Sequence, residues 1–132
     1  MSSLIEDLWI FSSDGRPLIE VFHNTQFDSA LLGAFLAAME SFSKELSNTQ
    51  LNNFSFGKKK FLITSCLDGN IFLVSQSDFK TKSKKIQKVF KIIAEFFEEI
   101  YSIEDIDKWD GDTKFFNSFK DRINLYFSMA EL

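Results

Sequence analysis

Two residue types that start reactions occur once each in this chain: His23 and Cys66. His23 stands beside Asn24, with Asp28 and Ser29 a few positions on. As a general base it would draw a proton from Ser29 or pair with Asp28; as a residue of the loop before a helix it needs no partner. Cys66 follows Ser65 at the end of an apolar run. A nucleophilic thiolate there would need a histidine and an electropositive pocket, whereas a buried cysteine packs as a small hydrophobe and needs neither. One histidine and one cysteine also fall short of a tetrahedral zinc set. The sequence therefore leads us to expect no catalytic set, no metal and no cofactor. An enzyme or small-molecule sensor with an unrecognised pocket stays as the outlying alternative.

Two further stretches imitate binding motifs. Gly57-Lys58-Lys59 has no GxxxxGK frame, and its lysines precede a strand rather than a helix. The acidic stretch from Glu104 to Asp112 looks like a calcium loop, but after Asp105 and Asp107 the next aspartate, Asp110, comes one residue late. Position twelve counted from Asp105 is Phe116, where a bidentate glutamate is required. It reads as a solvated loop.

Charge is distributed unevenly. The 132 residues carry a formal net charge of −4, yet residues 58–91 hold 9 basic and 2 acidic side chains. Lys58, Lys59, Lys80, Lys82, Lys84 and Lys85 are the core of this run, and Lys60, Lys88 and Lys91 extend it. Lysines opening a helix that closes on Glu95, Glu98 and Glu99 oppose its macrodipole at both ends. Helix stability alone would favour the reverse order. A solvated face, an anionic lipid surface and an acidic protein all fit the run. Nucleic acid does not: the chain as a whole is acidic and the run contains no arginine.

The elements that position these groups follow from pattern. Leu8-Trp9-Ile10-Phe11 reads as a strand, Asp14-Gly15 as a hairpin turn, and Pro17 to Phe22 as the return strand. Thr25 to Asp28 has the form of a helix start, and the helix runs to about Leu46. Asn53 to Phe56, Lys60 to Ser65 and Asn70 to Ser75 form a meander of hairpins. Apolar residues at spacings of three and four then mark a helix from Ser83 to Tyr101. After a polar loop, Asp112 or Thr113 caps a last helix with Phe115, Phe116, Phe119, Ile123, Tyr126 and Phe127 inward.

The order ββ-α-βββ-α-α predicts one α+β domain over 1–132. It is a five-stranded antiparallel sheet with one helix on one face and two on the other. A single cysteine precludes an intrachain disulfide and suits a reducing, cytoplasmic setting. The start carries Glu6 and Asp7 with no basic region, unlike a signal peptide. No apolar run approaches a membrane span.

The first helix poses a packing problem. Ala30 to Met39 contains no polar side chain, and a helix apolar all round needs cover all round. Phe27, Leu31, Phe35, Ala38, Phe42 and Leu46 fall on one face, expected to meet the sheet. Leu32, Leu36 and Met39 are then left over. Gly33, Ala34, Ala37 and Ala38 are small enough to admit a second backbone. Either the chain covers this surface itself, or a partner does. The expected contact comprises Leu32, Gly33, Leu36, Ala37, Met39, Glu40 and Ser43.

The stretches Trp9 to Leu18, Phe27 to Leu46, Phe54 to Ile63, Asp68 to Val74 and Trp109 to Phe119 together resemble the longin domain family and its roadblock relatives. The resemblance covers nearly the whole chain and rests on element order and hydrophobic placement. Few residues precede Trp9, where roadblock domains usually begin with a helix, so the longin order is expected. The resemblance implies a non-catalytic platform in membrane traffic and small-GTPase regulation. It also implies pairing, as a homodimer or with another longin- or roadblock-type chain, through the first helix and the third strand. No SNARE-type coiled coil follows the last helix, so a direct role in fusion is not expected, and the resemblance supplies no catalytic residue. The implied partners are a small GTPase and a twin or related chain, with a lipid-surface trafficking adaptor as the alternative.

Overall fold

Strands β1 (Asp7–Ser12) and β5 (Ile71–Asp78) lie side by side at the centre of the sheet, buried on both faces. That is why each reads as a near-continuous apolar run rather than an alternation. The computed structural model describes residues 5–21, 28–47 and 52–130. Around the central pair the sheet is completed by β2 (Pro17–Glu20), β4 (Lys59–Cys66) and β3 (Asn53–Phe56). The antiparallel order is β2-β1-β5-β4-β3. Helix α1 (Ser29–Ser47) covers one face. On the other lie α2 (Ser83–Ile100), the short α3 (Ile103–Asp107), a 3-10 turn at Thr113–Phe116 and α4 (Asn117–Met129). The α+β architecture expected from the sequence is the one observed.

Each face has its own core, set by the two-residue period of the strands. Leu8, Ile10, Ile71 and Leu73 point to α2 and α4 and meet Ile86, Phe90, Ile93, Phe97, Phe119 and Ile123. Trp9, Phe11, Phe61, Phe72 and Val74 point to α1, where they enclose Leu36.

The structure adds detail that the pattern did not give. α3 lies inside the stretch expected as loop, begun by a capping box in which Ser102 and Asp105 satisfy each other's backbone N–H. β5 runs three residues past Ser75. Gln76 and Ser77 are buried there, and Gln76 donates to the Glu6 carboxylate at 3.2 Å. Phe115 is exposed and Tyr126 half-buried, although both were expected inward; Phe116, Phe119, Ile123 and Phe127 are buried as expected. Asp112 caps the 3-10 turn by accepting the Lys114 N–H. The expected cap Thr25, with Phe22, His23 and Phe27, lies outside the described residues. Within them, the Asp28 carboxylate accepts the Ala30 and Leu31 N–H groups at the start of α1.

Candidate functional site

Helix α1 is rotated from its expected setting. Its inward line is Ser29, Gly33, Leu36, Glu40 and Ser43, with Gly33, Leu36 and Glu40 buried. Leu31, Phe42 and Leu46, expected inward, are 70 %, 55 % and 70 % exposed, and Ala38 is exposed too. Leu36, expected to be left over, is 3 % exposed. Two causes explain the rotation. Trp9, Phe11, Phe61 and Phe72 already fill the space over the sheet, so the helix can set only small residues and one leucine knob against it. The second cause is the hairpin turn.

Gly15, with φ +90°, lies directly against Gly33. A Cβ on Gly33 would stand 2.0 Å from the Gly15 carbonyl oxygen, and one on Gly15 would stand 2.6 Å from the Gly33 oxygen. The second backbone that Gly33 and Ala37 admit is thus the chain's own β1–β2 turn, while Ala34 and Ala38 stay exposed. The turn is tied by Ser12, whose hydroxyl accepts the Arg16 N–H at 3.1 Å and donates to Asp14.

The seven residues expected to meet a partner differ in their exposure. Gly33, Leu36 and Glu40 are buried, and Leu32, Ala37, Met39 and Ser43 are half-buried. Lys44 approaches the Glu40 carboxylate at 3.8 Å.

The outward face of α1 is continuous with the edge of the sheet. Phe35 packs on Phe54 at 5.4 Å between ring centroids and on Phe56 at 6.1 Å. Phe54 stacks on Phe61 at 4.7 Å. Phe56 remains 59 % exposed, and no strand among the described residues pairs with the outer edge of β3. Leu31, Phe35, Phe42 and Leu46 with Phe54 and Phe56 form one apolar surface ending on an open strand edge, the kind of patch that marks an association site.

His23 lies outside the described residues, and the other candidate groups are engaged in packing and in structural hydrogen bonds. Cys66 is buried, and burial pushes its thiol pKa up to about 12, with the Glu98 carboxylate adding in the same direction. At neutral pH it is a protonated packing group. Ser29 donates to the Glu20 carboxylate at 3.0 Å. In the acidic stretch Asp105, Asp110 and Asp112 accept backbone N–H groups, and no group of metal-ligating side chains occurs among the described residues. A cleft of about 690 Å³ runs between β4 and α2, over Leu62, Thr64 and Ser65 and under Gln87, Lys91 and Glu95.

The lysines divide into two sets. Lys59 is bound to the Glu6 carboxylate at 2.7 Å, and Lys60 donates to the Thr81 carbonyl and the Ser83 hydroxyl. Lys58, Lys80, Lys82, Lys84 and Lys85 are exposed. No helix among the described residues is long and apolar enough to cross a membrane.

No family model and no curated protein matches this sequence. Solved structures do match by shape. Myxococcus xanthus MglB superposes with a TM-score of 0.54 at 17 % identity, over 72 % of this chain and 85 % of that one. A Roadblock/LC7 domain from Streptomyces avermitilis superposes with a TM-score of 0.50 at 9 % identity, over 63 % and 73 %. The sheet order, the helix layers and these likenesses together define a longin/roadblock-like fold.

Proposed function

We propose that this chain is a non-enzymatic interaction module that pairs through α1 and β3 and binds or regulates a small GTPase in a membrane-traffic-like role. The observation that carries the reading is the rotation of α1. The helix sets Gly33, Leu36 and Glu40 against its own chain and offers Leu31, Phe42 and Leu46 outward, beside Phe56 on a strand edge that no described strand pairs. A soluble chain rarely keeps such a surface uncovered. A second copy presenting the same helix face and β3 edge covers it symmetrically, as an isologous contact does.

Covering each large side chain contributes roughly 1–2 kcal/mol, since each begins partly buried. Loss of rigid-body freedom offsets much of that gain, so the pair has a dissociation constant on the order of micromolar. The GTPase part of the reading rests on the longin/roadblock-like fold and on the resemblance in sequence that implied it. Its test is direct binding. Purified small GTPases of the same cell, loaded with GDP or with a GTP analogue, are titrated against the chain. The expected result is one GTPase bound at least tenfold more tightly in one nucleotide state. Binding to none, or binding indifferent to the nucleotide, contradicts it.

A further inference from the structure

We infer that the corner where the β3–β4 turn meets the β5–α2 turn docks on an anionic lipid bilayer, with Phe79 entering the headgroup layer among Lys58, Lys80 and Lys82. This goes beyond the pairing and GTPase reading and stands independently of it.

The corner is built rather than incidental. The Phe79 N–H donates to the Lys58 carbonyl at 2.8 Å, which fixes the two turns side by side. Asp78 holds the second turn in shape: its carboxylate accepts the Lys80 N–H at 2.9 Å and its carbonyl the Thr81 N–H at 3.0 Å. On this frame Phe79 is 59 % exposed. The acidic groups at the corner, Asp78 and Glu6, are engaged with backbone and with Lys59. Lys58, Lys80, Lys82, Lys84 and Lys85 form no ion pair among the described residues.

Charge order along α2 sets the orientation. Lys84, Lys88 and Lys91 line its exposed ridge near the start, and Glu95, Glu98 and Glu99 take over toward the end. An anionic surface therefore draws in the start of α2 and repels its end, which stands the corner against the bilayer. Lys82 at the N-cap gives no side-chain bond; the Lys85 N–H donates to the Lys82 carbonyl at 3.2 Å, which leaves the Ser83 and Lys84 N–H groups to meet lipid phosphates.

The side-chain chemistry favours a membrane over a single bound phosphate. Residues 58–91 contain nine lysines and no arginine. Ammonium groups on flexible stems suit a diffuse plane of charge, whereas guanidinium forks suit one oxyanion held bidentately. An exposed aromatic amid lysines adds the apolar insertion that peripheral binding uses beside electrostatic attraction.

Vesicle co-sedimentation of the full chain tests this, comparing phosphatidylcholine alone with a mixture containing about 30 % phosphatidylserine, at about 0.1 M and 0.5 M salt. The chain is expected to pellet with the anionic vesicles, to ignore the neutral ones and to be released by high salt. The triple variant Lys82→Glu, Lys84→Glu, Lys85→Glu should lose on the order of 100-fold in partition or more, and Phe79→Ser about tenfold. All four positions are surface sites, and matched melting curves confirm the fold. Absence from anionic vesicles, or binding that survives the triple change, overturns the inference. Binding unchanged by Phe79→Ser overturns the proposed orientation. Salt-sensitive capture of an acidic polypeptide with none of anionic vesicles transfers the corner to a protein partner and overturns it as well.

Discussion

Leu36→Glu is expected to unfold the chain. Leu36 is 3 % exposed and enclosed by Trp9, Phe11, Phe61, Phe72 and Val74. Truncating a buried leucine costs about 2–5 kcal/mol, and a glutamate there adds an unpaired carboxyl that must lose its charge or its water at several kcal/mol more. Together these rival the whole stability of a domain this size, about 5–15 kcal/mol. Circular dichroism over a thermal scan reads the outcome: no cooperative transition, or one far below the parent's. From the sequence the same change would yield a folded monomer, because Leu36 was expected to face a partner. A Leu36→Glu variant that melts with the parent places Leu36 back on the outer surface and contradicts the observed helix rotation.

Gly33→Val is expected to destabilise the fold by about 3 kcal/mol, roughly 10 °C in melting temperature. The added carbons meet the Gly15 carbonyl oxygen, which lies 2.0 Å from the ideal Cβ position. The turn cannot easily withdraw. Its φ of +90° at Gly15 and the Ser12 bonds hold it in place, and Phe11 lies 3.0 Å from the same point. Gly57→Ala serves as the control. A Cβ there meets nothing within 4 Å, and the left-handed φ of +57° alone costs about 1–2 kcal/mol. Equal melting of Gly33→Val and the parent removes the close contact between hairpin and helix.

The contrast between these residues shows what was legible in the sequence. Strands and helices were readable because each carries its own period: Trp9 and Phe11 against Leu8 and Ile10 across a sheet, or Ile86, Phe90, Ile93 and Phe97 along a helix. The face of α1 was not readable. Every position from Ala30 to Met39 is apolar, so no polar stripe marks which side meets solvent. The largest residues of the helix face outward because the aromatics of the sheet fill the space beneath it. The decisive signal was a pair of glycines 18 positions apart, Gly15 and Gly33, whose contact is tertiary and leaves no local pattern. The missed α3 was locally marked, since Ser102 and Asp105 stand three apart as a capping box requires. The lysine run was plain as composition, but its division into bound Lys59 and Lys60 and exposed Lys58, Lys80 and Lys82 depends on Glu6, Thr81 and Ser83, which only the fold brings near.

If a second chain covers the outward face of α1 and the β3 edge, sedimentation equilibrium across roughly 1–100 µM reads it, in the range where the expected affinity lies. The parent should shift from the mass of one chain toward that of two as concentration rises. Phe42→Asp, at a site 55 % exposed and outside both buried cores, should stay folded and remain at the mass of one chain throughout. A parent that keeps the mass of one chain over the whole range, or a Phe42→Asp variant that pairs as the parent does, contradicts the account.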